Sequence, residues 1–293
     1  MSEAKSLEVL QAAGDIVLGA AGSAIPPSVK LDHLVRYLGT WSGSDKLMML
    51  VQYTAKLSAL PMTRYAEAEH RLGRRLAPAS PTAEGLFKFA GQLSLSRRVS
   101  GLWGLLAILK GISALERNPA TSSLQLTLQR LQGLSMLIYY PLEYLAFFSS
   151  PFAPVIPPRI ISPSQSTKIQ MWSIRAWGVY VLLQVWICAN ELGELSWKED
   201  AFRKALEEKL EELEKVEGEK GKVKSDLEKV LKRKKQVRYQ LIANASRLPV
   251  ILHWSLVKGF YKNEFWTNFY SFISAVAAFR GGWEGSRLPS PMH

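Results

Sequence analysis

The sequence turns on residues 169–192, IQMWSIRAWGVYVLLQVWICANEL. From Ala176 to Ala189 the side chains are apolar nearly all the way round a helix, so no face of it suits water. Such a helix lies either in lipid or in the core of a large helical domain. Trp172, Trp177, Tyr180 and Trp186 bracket the run, and aromatic rings with one polar edge settle where acyl chains meet head groups. From Ile169 to Ala189 the helix would be about 31 Å long, close to the ~30 Å hydrocarbon core of a bilayer. Arg175 is the flaw in the span, sited near one end from which it can snorkel outward.

Composition narrows the partner. The 293 residues leave room for one large helical domain or two modest ones. A net charge of +12 and a pI near 9.7 call for an acidic partner, either nucleic acid or anionic lipid. Nine tryptophans and an apolar share of 47% favour lipid. The basic run Lys232-Arg233-Lys234-Lys235 has no aromatic residues beside it and no recognisable module, so no nucleic acid is expected. Cys188 is the single cysteine, which excludes an internal disulfide and a cysteine-based metal cluster. His33, His70, His253 and His293 are scattered without zinc-site spacing. Gly218-Glu-Lys-Gly221-Lys222 lacks the spacer and the Ser/Thr of a phosphate loop, and no Gly-x-Ser-x-Gly elbow occurs. The expectation is therefore no metal, no cofactor and no enzyme activity. Glu3, Glu8 and Asp15 precede a weak apolar run, Ile16 to Ile25, which fits neither a secretory signal nor a transit peptide.

Read in order, the chain is all-α: a membrane-associated bundle of amphipathic and apolar helices with a long charged helical insert. Residues 1–62 hold N-terminal amphipathic helices. Leu7, Leu10, Ala13, Val17 and Ala21 are at helical spacing; then Leu31, Leu34, Val35 and Leu38 form a stripe, with Lys30, His33 and Arg36 off it. Ser42-Gly-Ser-Asp45 has the form of a capping box opening a helix that stops at Pro61. Residues 63–150 are the membrane-remodelling region. There Ser80-Pro81 starts a helix that reads through Arg97-Arg98 into Val99 to Leu109 and then Lys110, an uncharged run too short to span but suited to an interface. Asn118-Pro119 begins the next helix, which is kinked at Pro141 and carries Glu143. Residues 151–165 are a proline-rich linker, 166–195 the candidate transmembrane helix, and 196–240 the charged insert. The insert's acidic first half and basic second half, separated by Gly218 and Gly221, are expected to pair, either by folding back or with a neighbour's insert, over a seam of Leu206, Leu210, Leu213, Val223, Leu227 and Val230. Residues 241–293 form a C-terminal apolar membrane segment with Phe265, Phe269, Phe272, Val276 and Phe279 on one stripe.

Three stretches carry a resemblance. Leu31 to Leu57, with Gly43, Asp45, Lys46, Gln52 and Tyr53, resembles the opening motif of the peroxin-11 family, the peroxisomal membrane-elongation proteins. Leu93 to Lys110 is similar to that family's basic amphipathic helix, and Leu248 to Phe260, followed by the aromatic last segment, is a third matching stretch; the fungal gamma-type or C-type branch is the nearest in pattern. The chain departs from the pattern at Gly101, where many members carry a further basic residue, and in its long insert. The resemblance implies an integral protein of the peroxisomal membrane that elongates it, self-associates into a homo-oligomer, and recruits the dynamin-type fission machinery and its adaptors.

The residues supply a mechanism. An amphipathic helix wedged ~5 to 10 Å into one leaflet expands that leaflet alone and favours curvature. Leu102, Trp103, Leu105, Leu106 and Leu109 are the expected wedge, with Lys88, Arg97, Arg98 and Lys110 on the phosphates of an anionic phospholipid membrane. A metabolite channel lined by Arg175 and Glu143 is the alternative. A soluble helical scaffold is the third reading.

Overall fold

The protein is described here by a computed structural model that covers residues 13–16, 19–20, 28–119, 122–208 and 217–286. Most of the helix expected around Leu7 to Ala21, and the seam positions Leu210 and Leu213, lie outside the described residues. The rest is helical: α1 (Val29–Leu38), α2 (Trp41–Arg71), α3 (Pro81–Ser100), a 3₁₀ turn (Gly101–Trp103), α4 (Gly104–Arg117), α5 (Ser123–Phe148), α6 (Pro163–Glu208), α7 (Glu217–Ala245), α8 (Leu248–Ser255) and α9 (Glu264–Gly285). Helix α2 pairs with α3, α4 with α5, α5 with α6, α6 with α7 and α8, and α7 with α9. Helix α9 also packs on α2, so the last helix closes the bundle against the first long one.

Several boundaries differ from the sequence reading. Helix α2 runs through Pro61 rather than stopping there. An interior proline costs about 3 kcal/mol. The α2–α3 pair offsets it with small buried residues, Ala59 and Ala66 on one helix and Ala83 and Ala90 on the other, which allow a close backbone approach. The N-cap of α2 is Thr40, whose Oγ1 accepts from the Gly43 amide at 3.0 Å; Ser42 and Asp45 are not the cap. Asn118 ends α4, and α5 starts at Ser123. Ser80 does cap α3, accepting from the Ala83 amide with Pro81 in the first turn.

Pro163 opens α6 instead of prolonging the linker, and α6 then continues to Glu208 without a break at 195. At 46 residues and ~1.5 Å per residue it is about 69 Å long, more than twice a bilayer core. Its charged end therefore projects beyond its apolar half, and α7 packs along it. Part of the expected pairing of acidic and basic halves is present within the chain: Lys234 bonds Glu199 at 2.8 Å, while Arg233 reaches back to Glu191, which precedes the insert, at 2.6 Å. Cys188, Leu195 and Val237 form the buried seam, flanked by Leu192, Val230 and Leu241. It lies closer to the membrane half than expected, while Leu206, Val223 and Leu227 are only half-buried. Gly221 lies inside α7 and does not mark the fold-back.

Helix α9 is the main correction to the domain reading. Ser271, Ser274, Ala275 and Ala277 are buried, Ala275 in a cluster with Met49 and Tyr53 of α2, and Ser274 Oγ donates to the Ala243 carbonyl of α7 at 2.8 Å. The small-residue face of this aromatic segment thus forms an interior contact rather than a free span. Helix α1 docks on its far end by an equally unforeseen side. His33 and Tyr37 are buried; His33 stacks on Trp283 at 3.9 Å, Arg36 donates to the Ser286 carbonyl at 3.0 Å and Tyr37 to that of Phe279 at 3.3 Å. The expected apolar stripe, Leu31, Leu34 and Val35, faces outward.

Gly43 sets the junction of α1 and α2. A Cβ there would lie 2.0 Å from the carbonyl oxygen of Tyr37, a backbone atom that cannot swing aside. Gly43→Ala should therefore destabilise the full-length protein in detergent by about 2 kcal/mol. Gly193→Ala, where the Cβ meets nothing within 4 Å, should instead stabilise it by up to ~1 kcal/mol through helix propensity. Denaturant midpoints of the two variants check the pair, and equal shifts would refute the steric account.

Candidate functional site

Two features stand out, an apolar outer face on α3 and α4 and a charged centre behind it. Along the outer face Leu95 (39% exposed), Val99 (48%), Trp103 (68%), Leu106 (60%) and Leu109 (48%) recur at three- and four-residue intervals. Pro81–Arg117 and Pro163–Glu207 are long and apolar enough to cross a membrane, and in the most apolar stretch of the first no residue is buried. On α6 the outward side is Trp172, Val179, Leu182 and Trp186.

Of the five expected wedge residues, Trp103, Leu106 and Leu109 point outward, whereas Leu102 and Leu105 are half-buried. The inner side of α4 lies against α5: Gly104 and Gly133 are the contact points, under Tyr140 and Ile112 respectively. Gly101 has the same explanation. A Cβ there would lie 2.8 Å from the Tyr144 hydroxyl, which donates to the Arg98 carbonyl at 3.1 Å, so the departure from the family pattern admits α5 at close range. Lys88 and Lys110 are exposed beside the apolar face.

Arg97 and Arg98 are not free for phosphate. Arg97 Nε and Nη2 donate to the two carboxylate oxygens of Asp45 at 2.8 and 3.3 Å, and Nη1 donates to Gln52 Oε1 at 3.1 Å. Arg98 bonds Glu143 at 3.2 Å and lies over the Phe147 ring. Successive residues of α3 thus reach opposite neighbours, α2 and α5. Glu143, buried, also accepts from Gln170 and from Ser173 Oγ. Arg175 donates to the Ser255 carbonyl at 3.0 and 3.3 Å and stacks on Trp172 at 4.8 Å, so it is held inward and does not snorkel. Among the described residues no buried side-chain nitrogen or oxygen lacks a hydrogen-bond partner.

Of the motif residues, Asp45 and Gln52 meet at Arg97 with Lys46 beside Asp45, while Gly43 sits at the α1–α2 junction and Tyr53 packs with Met49 and Ala275. Arg247, at the α7–α8 junction, joins them from some two hundred residues away, which is why no local spacing announced it. Burial, with the Arg247 charge adding to it, pulls the Lys46 ammonium below its usual range. Burial and then the Arg97 charge do the same to Arg247. Among the described residues no group of three or more His, Cys, Asp or Glu comes together to hold a metal.

Asp45 is the carboxylate that acts on all three cations. Removing it should hurt more than removing its closest partner. Asp45→Asn is expected to lose about 2 to 3 kcal/mol, because three cations are left facing one another; Arg97→Gln should lose about 1 to 2 kcal/mol, since Lys46 and Arg247 still neutralise Asp45. Urea unfolding of both variants and of the double variant measures the asymmetry, and equal losses would mean that Lys46 and Arg247 do not feel Asp45.

No curated protein and no solved structure matches the chain at a significant level. A sequence model of the family described as Peroxisomal biogenesis factor 11 (PEX11) matches residues 31–280, which takes in α1 from its third residue, the charged centre, the outward face of α3 and α4, and α9 as far as Arg280. With that match over most of its length the chain belongs to the peroxisomal biogenesis factor 11 family, and it is a peroxisomal membrane protein involved in peroxisome proliferation.

Proposed function

We propose that the protein elongates the peroxisomal membrane by inserting the outer face of α3 and α4 into one leaflet. The observation that carries the reading is the unburied apolar stripe from Leu95 to Leu109 on a pair of helices whose inner side is fixed to α2 and α5. A free helix would sink its rings and rotate at will. One pinned by ion pairs at Arg97 and Arg98 presents the same face at the same depth, so the area it adds to its leaflet is defined. Lys88 and Lys110 supply the attraction to anionic head groups that Arg97 and Arg98 had been expected to give. The exposed stripe of α1, Leu31, Leu34 and Val35, is a second candidate for the same leaflet.

Self-association would add such wedges together over a patch of membrane, and recruitment of a dynamin-type machinery with its adaptors would convert the elongated tubule into a fission event. The metabolite-channel alternative loses its support from Arg175 and Glu143. Both are taken up by partners within the bundle, which is the behaviour of packing groups.

Leu106→Glu with Leu109→Glu should abolish tubulation of anionic vesicles by the reconstituted full-length protein. Both positions are exposed, so the fold should change by no more than ~0.5 kcal/mol. Lys88→Glu with Lys110→Glu should weaken vesicle binding without abolishing the fold, because each cation near an anionic surface contributes about 1 kcal/mol. Undiminished tubulation by the double leucine variant would sink the wedge mechanism.

A further inference from the structure

An apolar groove of about 420 Å³ runs along the outward side of the α5–α6 pair, within the ~300–1,000 Å³ typical of ligand sites. Ile138 and Leu142 of α5 line it on one side, Trp172 and Val179 of α6 on the other. Ala176, whose carbonyl accepts from Ser135 Oγ at 2.5 Å, lies between them where the helices touch. Ile138, Trp172 and Val179 are exposed while Leu142 and Ala176 are half-buried, so the groove opens outward. On α6 it extends from Ile169 to Val179, about 15 Å at ~1.5 Å per residue. That is half of the ~30 Å bilayer core, the depth of a single leaflet.

Arg175 is the charged side chain that lines this groove. Its Nε and Nη2 donate to the Ser255 carbonyl at 3.3 and 3.0 Å, and its guanidinium lies 4.8 Å from the Trp172 ring. Ser255 is the last residue of α8, so that bond satisfies one of the carbonyls a helix end leaves open. A carbonyl carries no net charge, however, and Arg175 forms no ion pair among the described residues. Glu143, next to Leu142, is committed to Arg98. Nη1 donates to no described residue and is not sealed off, which leaves the second edge of the guanidinium, Nη1 with the outer N–H of Nη2, uncommitted. An uncompensated cation in the apolar half of a membrane helix is costly, so an anionic partner lowers its energy. Lys168, exposed and two turns before Arg175, adds a second cation at the start of the apolar run.

We propose that the α5–α6 groove holds one anionic phospholipid of the surrounding bilayer, its phosphate diester on Arg175 and an acyl chain along Ile138, Ala176 and Val179. Side chains on a helix lean toward its N-terminus, which carries the guanidinium back to Trp172 and the start of the apolar run. The phosphate then sits at the level of Trp172, and the chain runs past Val179 toward the middle of the membrane. The free edge of the guanidinium matches two phosphate oxygens. A phosphate diester carries one negative charge, which balances Arg175, and Lys168 disfavours a head group that brings its own cation. A free phosphate solute would leave the apolar walls unfilled, so the lipid is the occupant. Such a lipid differs from those that merely surround the protein, because it is held at a single site through a charge pair. The inference rests on α6 lying in the bilayer and is independent of the wedge on α3 and α4.

The experiment titrates the full-length protein, in mild detergent, with dioleoyl phosphatidylglycerol and counts bound lipid by native mass spectrometry. One lipid per chain should bind saturably, and dioleoyl phosphatidylcholine, whose head group is neutral overall, should bind about tenfold more weakly. Arg175→Gln keeps a donor for the Ser255 carbonyl but removes the charge, and should weaken phosphatidylglycerol binding about tenfold. Ala176→Leu fills the groove without touching the guanidinium and should weaken it by a similar factor. Ile242→Ala, exposed on α7 away from the groove, should bind like wild type. The proposal is overturned if binding does not saturate at one lipid, if phosphatidylcholine binds equally well, or if either groove variant binds like wild type. Wild-type binding by an Arg175→Gln protein that melts at a lower temperature would show that Arg175 only caps α8. Should Arg175→Gln fail to fold, Ala176→Leu and the comparison of the two lipids decide the matter. Vesicle tubulation, which reports on Leu106 and Leu109, is unaffected by these outcomes.

Discussion

Two adjacent arginines hold the bundle together across α3. Arg97 is bound to Asp45 and Gln52 of α2, and Arg98 to Glu143 of α5, so one helical turn ties the α2–α3 hairpin to the α5–α6 pair. Consecutive side chains on a helix point about 100° apart, which suits them to two neighbours on different sides. Both pairs are partly shielded, and losing one partner would leave a charge with poor access to water. The 3₁₀ turn at Gly101 follows at once, admits Tyr144, and passes the chain into α4 with its outer face free. The position of the wedge therefore follows from the ion pairs behind it.

The polarity of the fold is partly inverted relative to a protein surrounded by water. His33, Gln52, Glu143, Ser173, Asn244, Asn268 and Ser274 are buried, while Leu31, Val35, Trp103, Leu106, Trp172 and Trp186 are exposed. Between helices in a membrane there is little hydrophobic drive, so contacts rely on small residues and on hydrogen bonds. The alanines of the α2–α3 pair, the serines of α9 and the Glu143 cluster follow that rule. Helix α1 shows it most plainly, since it docks through histidine, arginine and tyrosine and turns its leucines outward.

The hairpin of α6 and α7 is built on the opposite principle. Its apolar seam is short and sits near Cys188 and Val237, and beyond it the two helices are joined by surface ion pairs worth little individually. Lys235 extends the pairing to Glu284 of α9. The basic run that gives the sequence its most conspicuous charge is thus spent largely on acidic neighbours within the chain. The attraction to anionic head groups proposed for the wedge therefore rests on Lys88 and Lys110, which are exposed beside it.

The sequence by itself determined the helical class, the apolar half of α6, the cap at Ser80 and the amphipathic run before Lys110. Each is written in local periodicity or in a cap residue, and short-range geometry is enough to read it. The order of the motif stretches was also legible, and with it the family. Tertiary structure alone decided which face of each helix is outside. Periodicity identifies a stripe but not the direction it points, so the leucines of α1 turn outward, Leu102 and Leu105 turn partly in, and the aromatic helix α9 becomes a packing element. It also decided the fate of the charges. Arg97 and Arg98 look like phosphate ligands in a one-dimensional reading because Asp45 and Glu143 are some 50 residues away on either side. Only folding brings a carboxylate to each arginine, and only folding carries Arg247 to Lys46. Proline too was overruled at Pro61, where the packing of a long helix outweighs the local penalty of one missing amide, whereas Pro163 opens α6 at a position where that amide would have no partner.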